Sequence, residues 1–177
     1  MKTGKLLCMT FLCAALLCAT AASAASTSAG INVSRGQDDS MAYSLNILQK
    51  YTPWVDNENI EISPLAEMGA HLWVPEHGDN VFGGYLAPGV RLALHTSAPL
   101  QPYLEGSVGG AINTEDEIED RELGSNVLFR TRGSVGVSFG DSLRHRVQGD
   151  YVHYSTWGLT NKNDGYDTYG VSYGYSF

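Results

Sequence analysis

In the segment YDTYGVSYGYSF, residues 166–177, small and large side chains alternate strictly from Thr168 to Phe177. One face is apolar or aromatic and consists of Tyr169, Val171, Tyr173, Tyr175 and Phe177. From Thr168 onward, the opposite face carries only threonine, glycine and serine. A period of two is the pattern of a β-strand whose faces meet different surroundings. A strand of a soluble protein rarely sets aromatic residues against small ones alone, so this pattern favours a strand at a lipid surface.

The same alternation recurs along the chain. It predicts eight strands, near residues 31–36, 41–50, 65–74, 81–94, 102–112, 127–139, 144–155 and 167–177. Eight antiparallel strands of roughly ten residues build the smallest outer-membrane barrels. The terminal Phe177 also resembles the C-terminal assembly signal of bacterial outer-membrane barrel proteins. We therefore predict an all-β fold, an eight-stranded antiparallel outer-membrane β-barrel.

The N-terminal segment MKTGKLLCMTFLCAALLCATAASAAS has the features of an export signal. Lys2 and Lys5 precede a short apolar core, and small residues from Ala22 to Ala24 provide a cleavage site. We expect residues 1–24 to be a cleaved signal peptide and residues 25–177 to form a single transmembrane β-barrel domain. All three cysteines lie inside the signal, so the mature chain would contain no thiol and no disulfide.

Charge and histidine spacing limit the possible partners and cofactors. The formal net charge is −8, and it becomes −10 when Lys2 and Lys5 leave with the signal peptide. An acidic exported chain is a poor nucleic-acid binder, so no nucleic-acid partner is predicted. The histidines outside the C-terminal motif show no metal-ligand spacing with acidic neighbours. Neither a metal site nor a cofactor is predicted.

Polar residues of alternate positions collect on one face of the predicted strands. They are Glu67, Arg91, Glu105, Arg130, Arg132, Arg146 and Asp150. A nearly balanced set of charges in a narrow lumen would pair internally, so we expect a filled interior and no pore. The three tryptophans, Trp54, Trp73 and Trp157, are predicted to be aromatic anchors at the membrane interfaces.

The link near residues 113–126 contains the acidic run NTEDEIEDREL. A solvated extracellular loop is the simpler interpretation. The alternative is a loop that bridges to lipopolysaccharide phosphates through divalent cations, since hard cations favour carboxylates.

Three polar side chains break the apolar pattern of the lipid-facing row. In the strand 144–155 the lumen positions are even-numbered, so His153 and Ser155 point toward lipid, about 7 Å apart along the backbone. Asp167 lies in the same row as Tyr169, and a hairpin centred near residue 160 brings it beside His153. A serine, a base and an acid that orients the base form the arrangement of acyl-transfer catalysis. Alternatively, these are rim residues among wet headgroups.

The stretch HYSTWGLTNKNDGYDTYG, residues 153–170, resembles the lipid A 3-O-deacylase (PagL) family, an outer-membrane esterase group. The shared pattern is His-x-Ser, a glycine three residues after the serine, then Asn-x-Gly-x-acid. The resemblance implies that Ser155 is the nucleophile, His153 the base and Asp167 the acidic member. Relatives usually have glutamate at the acidic position, and Asp167 is one methylene shorter.

A second departure concerns the oxyanion. The residue after the nucleophile is usually asparagine in the family, with a proposed oxyanion role, and here it is Thr156. The Thr156 hydroxyl or the Gly158 amide would have to supply the oxyanion or substrate-binding donor. Loss of one such donor typically slows a reaction about 100- to 1,000-fold.

The resemblance implies a cofactor-free esterase that hydrolyses the ester-linked acyl chain at the 3-position of lipid A. Its expected partners are lipid A or lipopolysaccharide as substrate and the lipids of the bacterial outer membrane, and the sequence leaves open a homodimer. Two alternatives remain open from the residues themselves. One is an acyl hydrolase of phospholipids, and the other is a non-catalytic structural or adhesive barrel.

Overall fold

Residues 24–119, 121–160 and 163–177 are described by the structure, a computed structural model. Apart from Ala24, the predicted signal peptide lies outside these residues. Eight strands form one antiparallel sheet: β1 Ala24–Gly36, β2 Met41–Tyr51, β3 Ile60–Val74, β4 Val81–Leu94, β5 Leu100–Asn113, β6 Val127–Phe139, β7 His145–Ser155 and β8 Tyr166–Ser176. Each strand pairs with its neighbour in the chain, and β1 also pairs with β8. The predicted eight-stranded barrel is confirmed.

There are also three two-residue strands in the described ranges. Val55–Asp56 extends the barrel sheet by pairing with β3 at Ile62 and Glu61, and Glu117–Ile118 pairs with Arg121–Glu122. A short 3₁₀ turn spans Asp141–Leu143. None of the helical segments in the described ranges is long and apolar enough to cross a membrane.

Two strands are longer than the alternation predicts. β1 begins at Ala24 rather than near residue 31, because its first residues are uniformly small and give no contrast between the faces. Backbone pairing with β2 still extends to this end, and the Thr27 hydroxyl donates to Gln49 Oε1 at 2.7 Å. β3 begins at Ile60 rather than near residue 65, where it pairs with the end of β4 at Leu94.

The two ends of the barrel differ in their connections. The longer links, residues 114–126 and 156–165, leave one end, together with the turn 37–40. The short turns 95–99 and 140–144 and the C terminus lie at the other end. In outer-membrane barrels the longer loops are extracellular and the short turns periplasmic. We refer to the end that carries 114–126 and 156–165 as the extracellular end.

The barrel interior is filled by paired charges. The Glu105 carboxylate accepts hydrogen bonds from Arg91 Nε and from Arg132 Nη2, each at 2.7 Å. Arg132 also contacts Asp150 at 3.2 Å, and Arg130 contacts Glu67 at the same distance. All the charged residues predicted for the polar face are buried. The interior is therefore a packed ionic core, as predicted, and not a channel.

Trp73 contradicts the prediction that all three tryptophans are interfacial anchors. Its side chain is 1 % exposed and stacks on His71 with ring centroids 4.6 Å apart. Its ring also lies 4.9 Å from those of Tyr154 and Tyr166. Alternation explains the difference, since residue 73 shares the inward face of β3 with His71. Trp54 and Trp157 are exposed.

The acidic loop 114–126 is exposed to solvent at residues 114–117, as the simpler interpretation expects, and is anchored to the extracellular end by two apolar residues. Ile118 and Leu123 are buried in the aromatic cluster around Trp73. Arg121 pairs with Asp38 of the β1–β2 turn, and this hydrogen bond raises the pKa of the Arg121 guanidinium. Apolar residues inside a charged run thus close the end of the barrel. Within the described part of the chain, no group of three or more potential ligands is placed to hold a metal ion.

Candidate active site

The candidate site lies on the outer wall of the β7–β8 hairpin, near its extracellular end. The strand register pairs His153 with Asp167 and Tyr151 with Tyr169. On the other side of β7, Ser155 pairs with Phe129 of β6. The even-numbered neighbours Val152 and Tyr154 point into the core and are buried. As predicted, the pleat therefore turns His153, Ser155 and Asp167 outward.

The imidazole of His153 and the carboxylate of Asp167 are in direct contact. Nδ1 of His153 lies 2.7 Å from Oδ1 of Asp167. Because a carboxylate accepts, this contact places the imidazole proton on Nδ1 and leaves Nε2 as the basic nitrogen. The His153 side chain is 40 % exposed on the outer wall. This arrangement can accept a proton from a hydroxyl and return it.

Two further side chains bind the Asp167 carboxylate. The Tyr151 hydroxyl donates to Oδ1 at 2.9 Å, and Gln37 Nε2 donates to Oδ2 at 3.1 Å. Sequence analysis did not identify either residue as part of the site. Tyr151 was visible as the outward neighbour of His153, but Gln37 comes from the β1–β2 turn and carries no motif. Only the closure of the barrel, which pairs Gly36 with Thr168, brings Gln37 to the acid.

Ser155 is the last residue of β7 and is half-buried. It lies on the same outward row as His153, two residues further along the strand. Among the described residues, no hydrogen bond joins Ser155 to His153. In unliganded enzymes such contacts are often long and tighten only when substrate binds. The structure thus contains the contact between His153 and Asp167. The Ser155 hydroxyl lies in the same outward row of β7.

The two predicted oxyanion residues lie in the turn that follows Ser155. Thr156 is buried, its amide donates to Asn163 Oδ1 at 2.9 Å, and its hydroxyl is 3.0 Å from that of Thr160. Gly158 is exposed, with φ of +74°, and follows Trp157 at +53°. Consecutive left-handed residues define a tight type I′ turn. The Thr156 donors are therefore directed into the loop, whereas Gly158 lies at the surface.

An aromatic pair borders the site on the side of β6. The Trp157 ring meets the Phe129 ring edge-on, with centroids 5.0 Å apart. Trp157 is 70 % exposed. Its backbone is left-handed, a conformation that is unusual for a large residue. Phe129 is the cross-strand partner of Ser155. The pair places an exposed apolar surface directly beside the hydroxyl.

The chain is similar in sequence to known proteins. The sequence model of the family described as Lipid A 3-O-deacylase (PagL) matches residues 32–176. A curated relative, the lipid A deacylase PagL of Pseudomonas aeruginosa, is 31 % identical over 74 residues. That alignment covers 42 % of this chain and 42 % of the relative. The chain is thus aligned with less than half of the curated relative it matches.

Solved structures show the same fold. The crystal structure of the outer membrane enzyme PagL superposes with a TM-score of 0.76 and 22 % identity, over 84 % of this chain and 98 % of the other. Neisserial surface protein A superposes with a TM-score of 0.59 and 13 % identity, over 86 % of this chain and 96 % of the other. At these identities the likeness concerns the barrel architecture.

Proposed function

The chain belongs to the lipid A 3-O-deacylase (PagL) family, and on that premise we propose that it hydrolyses the ester-linked acyl chain at the 3-position of lipid A. It is a β-barrel of the outer membrane. The observation that carries the proposal is the 2.7 Å contact of His153 with Asp167, on the outer wall beside Ser155. That wall faces lipid, so an ester in the outer leaflet can reach the hydroxyl directly. We also propose that residues 1–24 are removed as a signal peptide.

The proposed reaction proceeds through an acyl-enzyme. Ser155 Oγ attacks the ester carbonyl carbon while His153 Nε2 takes the hydroxyl proton. The tetrahedral intermediate then collapses and expels the sugar 3-oxygen, which receives that proton from His153. Water next attacks the acyl-serine and gives a proton to His153. The second tetrahedral intermediate then collapses, the bond to Ser155 Oγ breaks, Oγ takes that proton from His153, and the fatty acid is released. Asp167 holds the Nδ1 tautomer and stabilises the imidazolium without becoming protonated.

Stabilisation of the oxyanion falls to the turn after Ser155. The Thr156 amide already donates to Asn163, so the exposed Gly158 amide is the donor that we assign to this role. Gly158 has a left-handed backbone and lies in the tight turn that follows Ser155. The aromatic pair Phe129 and Trp157 would receive the acyl chain, because it is the apolar surface next to the hydroxyl.

The decisive experiment compares lipid A from outer membranes that carry the native protein or Ser155→Ala. Mass spectrometry should show loss of one hydroxyacyl mass with the native chain only. Ser97→Ala is the matched control, since Ser97 is exposed in a periplasmic turn far from the site. Unchanged lipid A with a folded, inserted native barrel would refute the proposal.

A serine-reactive phosphonate separates the remaining possibilities. Labelling of the native chain that Ser155→Ala abolishes, together with unchanged lipid A, would indicate another ester, such as that of a phospholipid. Absence of both labelling and deacylation would indicate a structural or adhesive barrel.

A further inference from the structure

Gln37 is joined to Asp167 by three hydrogen bonds, although the two residues are 130 positions apart. The Gln37 backbone amide donates to the Asp167 carbonyl at 3.1 Å. Gln37 Oε1 accepts from the Asp167 backbone amide at 3.3 Å, and Nε2 donates to Oδ2 at 3.1 Å. We propose that Gln37 is a positioning residue, which holds the Asp167 carboxylate in the orientation that His153 requires. This inference rests on the proposed function.

The side-chain amide of Gln37 matches Asp167 in only one orientation. Its oxygen faces a backbone N–H and its nitrogen faces a carboxylate oxygen, so a flipped amide would lose both hydrogen bonds. Together these bonds tie the carboxylate to the backbone of its own residue. With Oδ2 on Gln37 and Oδ1 on His153 and Tyr151, rotation of the carboxylate breaks at least one contact.

The turn that carries Gln37 is itself anchored. The Gly36 amide donates to the Ser40 carbonyl at 2.8 Å, and the Ser40 hydroxyl is hydrogen-bonded to the buried Tyr166 hydroxyl. Tyr166 directly precedes Asp167 in β8. On the other side, Asp38 is paired with Arg121 of the acidic loop. The turn therefore holds the Gln37 backbone in place. Little conformational entropy is lost when the Gln37 side chain forms its hydrogen bonds to Asp167.

The position of the site explains why such a support is needed. A catalytic pair inside a protein core is oriented by packing, but His153 and Asp167 lie on an outer wall against mobile lipid. Their side chains are 40 % and 19 % exposed. Orientation must then come from hydrogen bonds to rigid elements, and Gln37 supplies the ones that reach Oδ2 and the Asp167 backbone.

The test measures deacylation kinetics of the full-length barrel in detergent with purified lipopolysaccharide. Gln37→Ala should lower kcat roughly tenfold, the value of a hydrogen bond to a charged group, and leave KM unchanged. Gln37→Glu, of the same size, should be at least as impaired because it sets a second carboxylate against the first. Asp39→Asn is the matched control, since it lies in the same turn, tolerates the left-handed φ of +63° and leaves Gln37 intact.

A double-mutant cycle separates positioning from a general structural role. In the Asp167→Ala background, Gln37→Ala should cause no further loss, because Gln37 acts through that carboxylate. A further tenfold loss there would overturn the inference, as would native kcat in Gln37→Ala. Heat-modifiable electrophoretic mobility reports whether each variant is a folded barrel.

Failure of the proposed function gives a different result. A native chain that neither deacylates lipopolysaccharide nor reacts with the phosphonate at Ser155 refutes the proposed function, and with it the role of Gln37. A native chain that is active, with Gln37→Ala equally active, refutes the role of Gln37 alone.

Discussion

Gly165 packs directly against the imidazole of His153. A Cβ built on Gly165 would lie 3.2 Å from Cε1 of His153, closer than an ordinary van der Waals contact. Gly165 also has φ of +66°, a conformation that other residues seldom adopt. Glycine at this position therefore meets two requirements, one of the backbone and one of the ring beside it.

Gly165→Ala should consequently impair catalysis more than folding. The left-handed backbone costs an alanine about 1 kcal/mol, and the new methyl group would push the His153 ring away from its partners. A small misplacement of a catalytic group costs on the order of tenfold or more in rate. The measurement is kcat beside the unfolding midpoint in urea.

Gly78→Ala is the control for that prediction. Gly78 has φ of +94°, and a Cβ there would meet nothing within 4 Å. Gly78→Ala should lower the unfolding midpoint by the cost of the left-handed backbone and should keep native kcat. Equal rates for Gly165→Ala and Gly78→Ala would contradict the importance of the ring contact.

Trp157→Asn should change the preference for acyl chains while retaining the turn. Asparagine accepts a left-handed backbone, so the substitution removes the ring that faces Phe129 with little strain. We expect KM for long-chain substrates to rise several-fold, because buried apolar area is lost, with a smaller change for short chains. Synthetic esters of graded chain length test this. An unchanged chain-length profile would show that the acyl chain lies elsewhere.

Glu105→Gln should destabilise the barrel without touching the reaction. Its carboxylate is fully buried between Arg91 and Arg132, and the neutral amide would leave those two cations under-compensated. Breaking a buried ion pair in this way typically costs about 3–5 kcal/mol. Urea unfolding in micelles measures the loss. Glu58→Gln, at an exposed residue, should have native stability, and a native midpoint for Glu105→Gln would contradict the prediction.

Leu123→Ala should loosen the acidic loop. Leu123 is fully buried in the aromatic cluster at the extracellular end, and removing its side chain from such a site costs about 2–5 kcal/mol. The loop should then become sensitive to a glutamate-specific protease, which mass spectrometry of the fragments would show. Leu159→Ala, at an exposed leucine of the neighbouring loop, should leave the native resistance unchanged. Equal resistance of both variants would mean that Leu123 does not hold the loop.

Side-chain alternation was sufficient to predict the wall of the barrel and the outward direction of the site. The period of two separates lipid-facing from inward residues along each strand, and a hairpin centred at residue 160 pairs position 153 with 167. The observed register pairs the same two residues. Trp73 was mispredicted because the general preference of tryptophan for interfaces was given more weight than its place in the inward row.

Side-chain alternation could not predict the contacts that form only when the barrel closes. Gln37 meets Asp167 only because β1 joins β8, and the conformation of a four-residue turn decides which side chain reaches the acid. The folded acidic loop was hidden for a different reason. Ile118 and Leu123 are isolated apolar residues in a charged run, with no periodicity to reveal that they are buried.

The barrel closes at the seam where β1 pairs with β8. Gln37 and Asp167 lie on opposite sides of that seam, so their hydrogen bonds exist only after the barrel has closed. On the proposed function, an unassembled chain would be an inactive hydrolase, because Asp167 would lack its hydrogen bonds from Gln37. Activity would then begin only when the closure of the barrel brings Gln37 to Asp167.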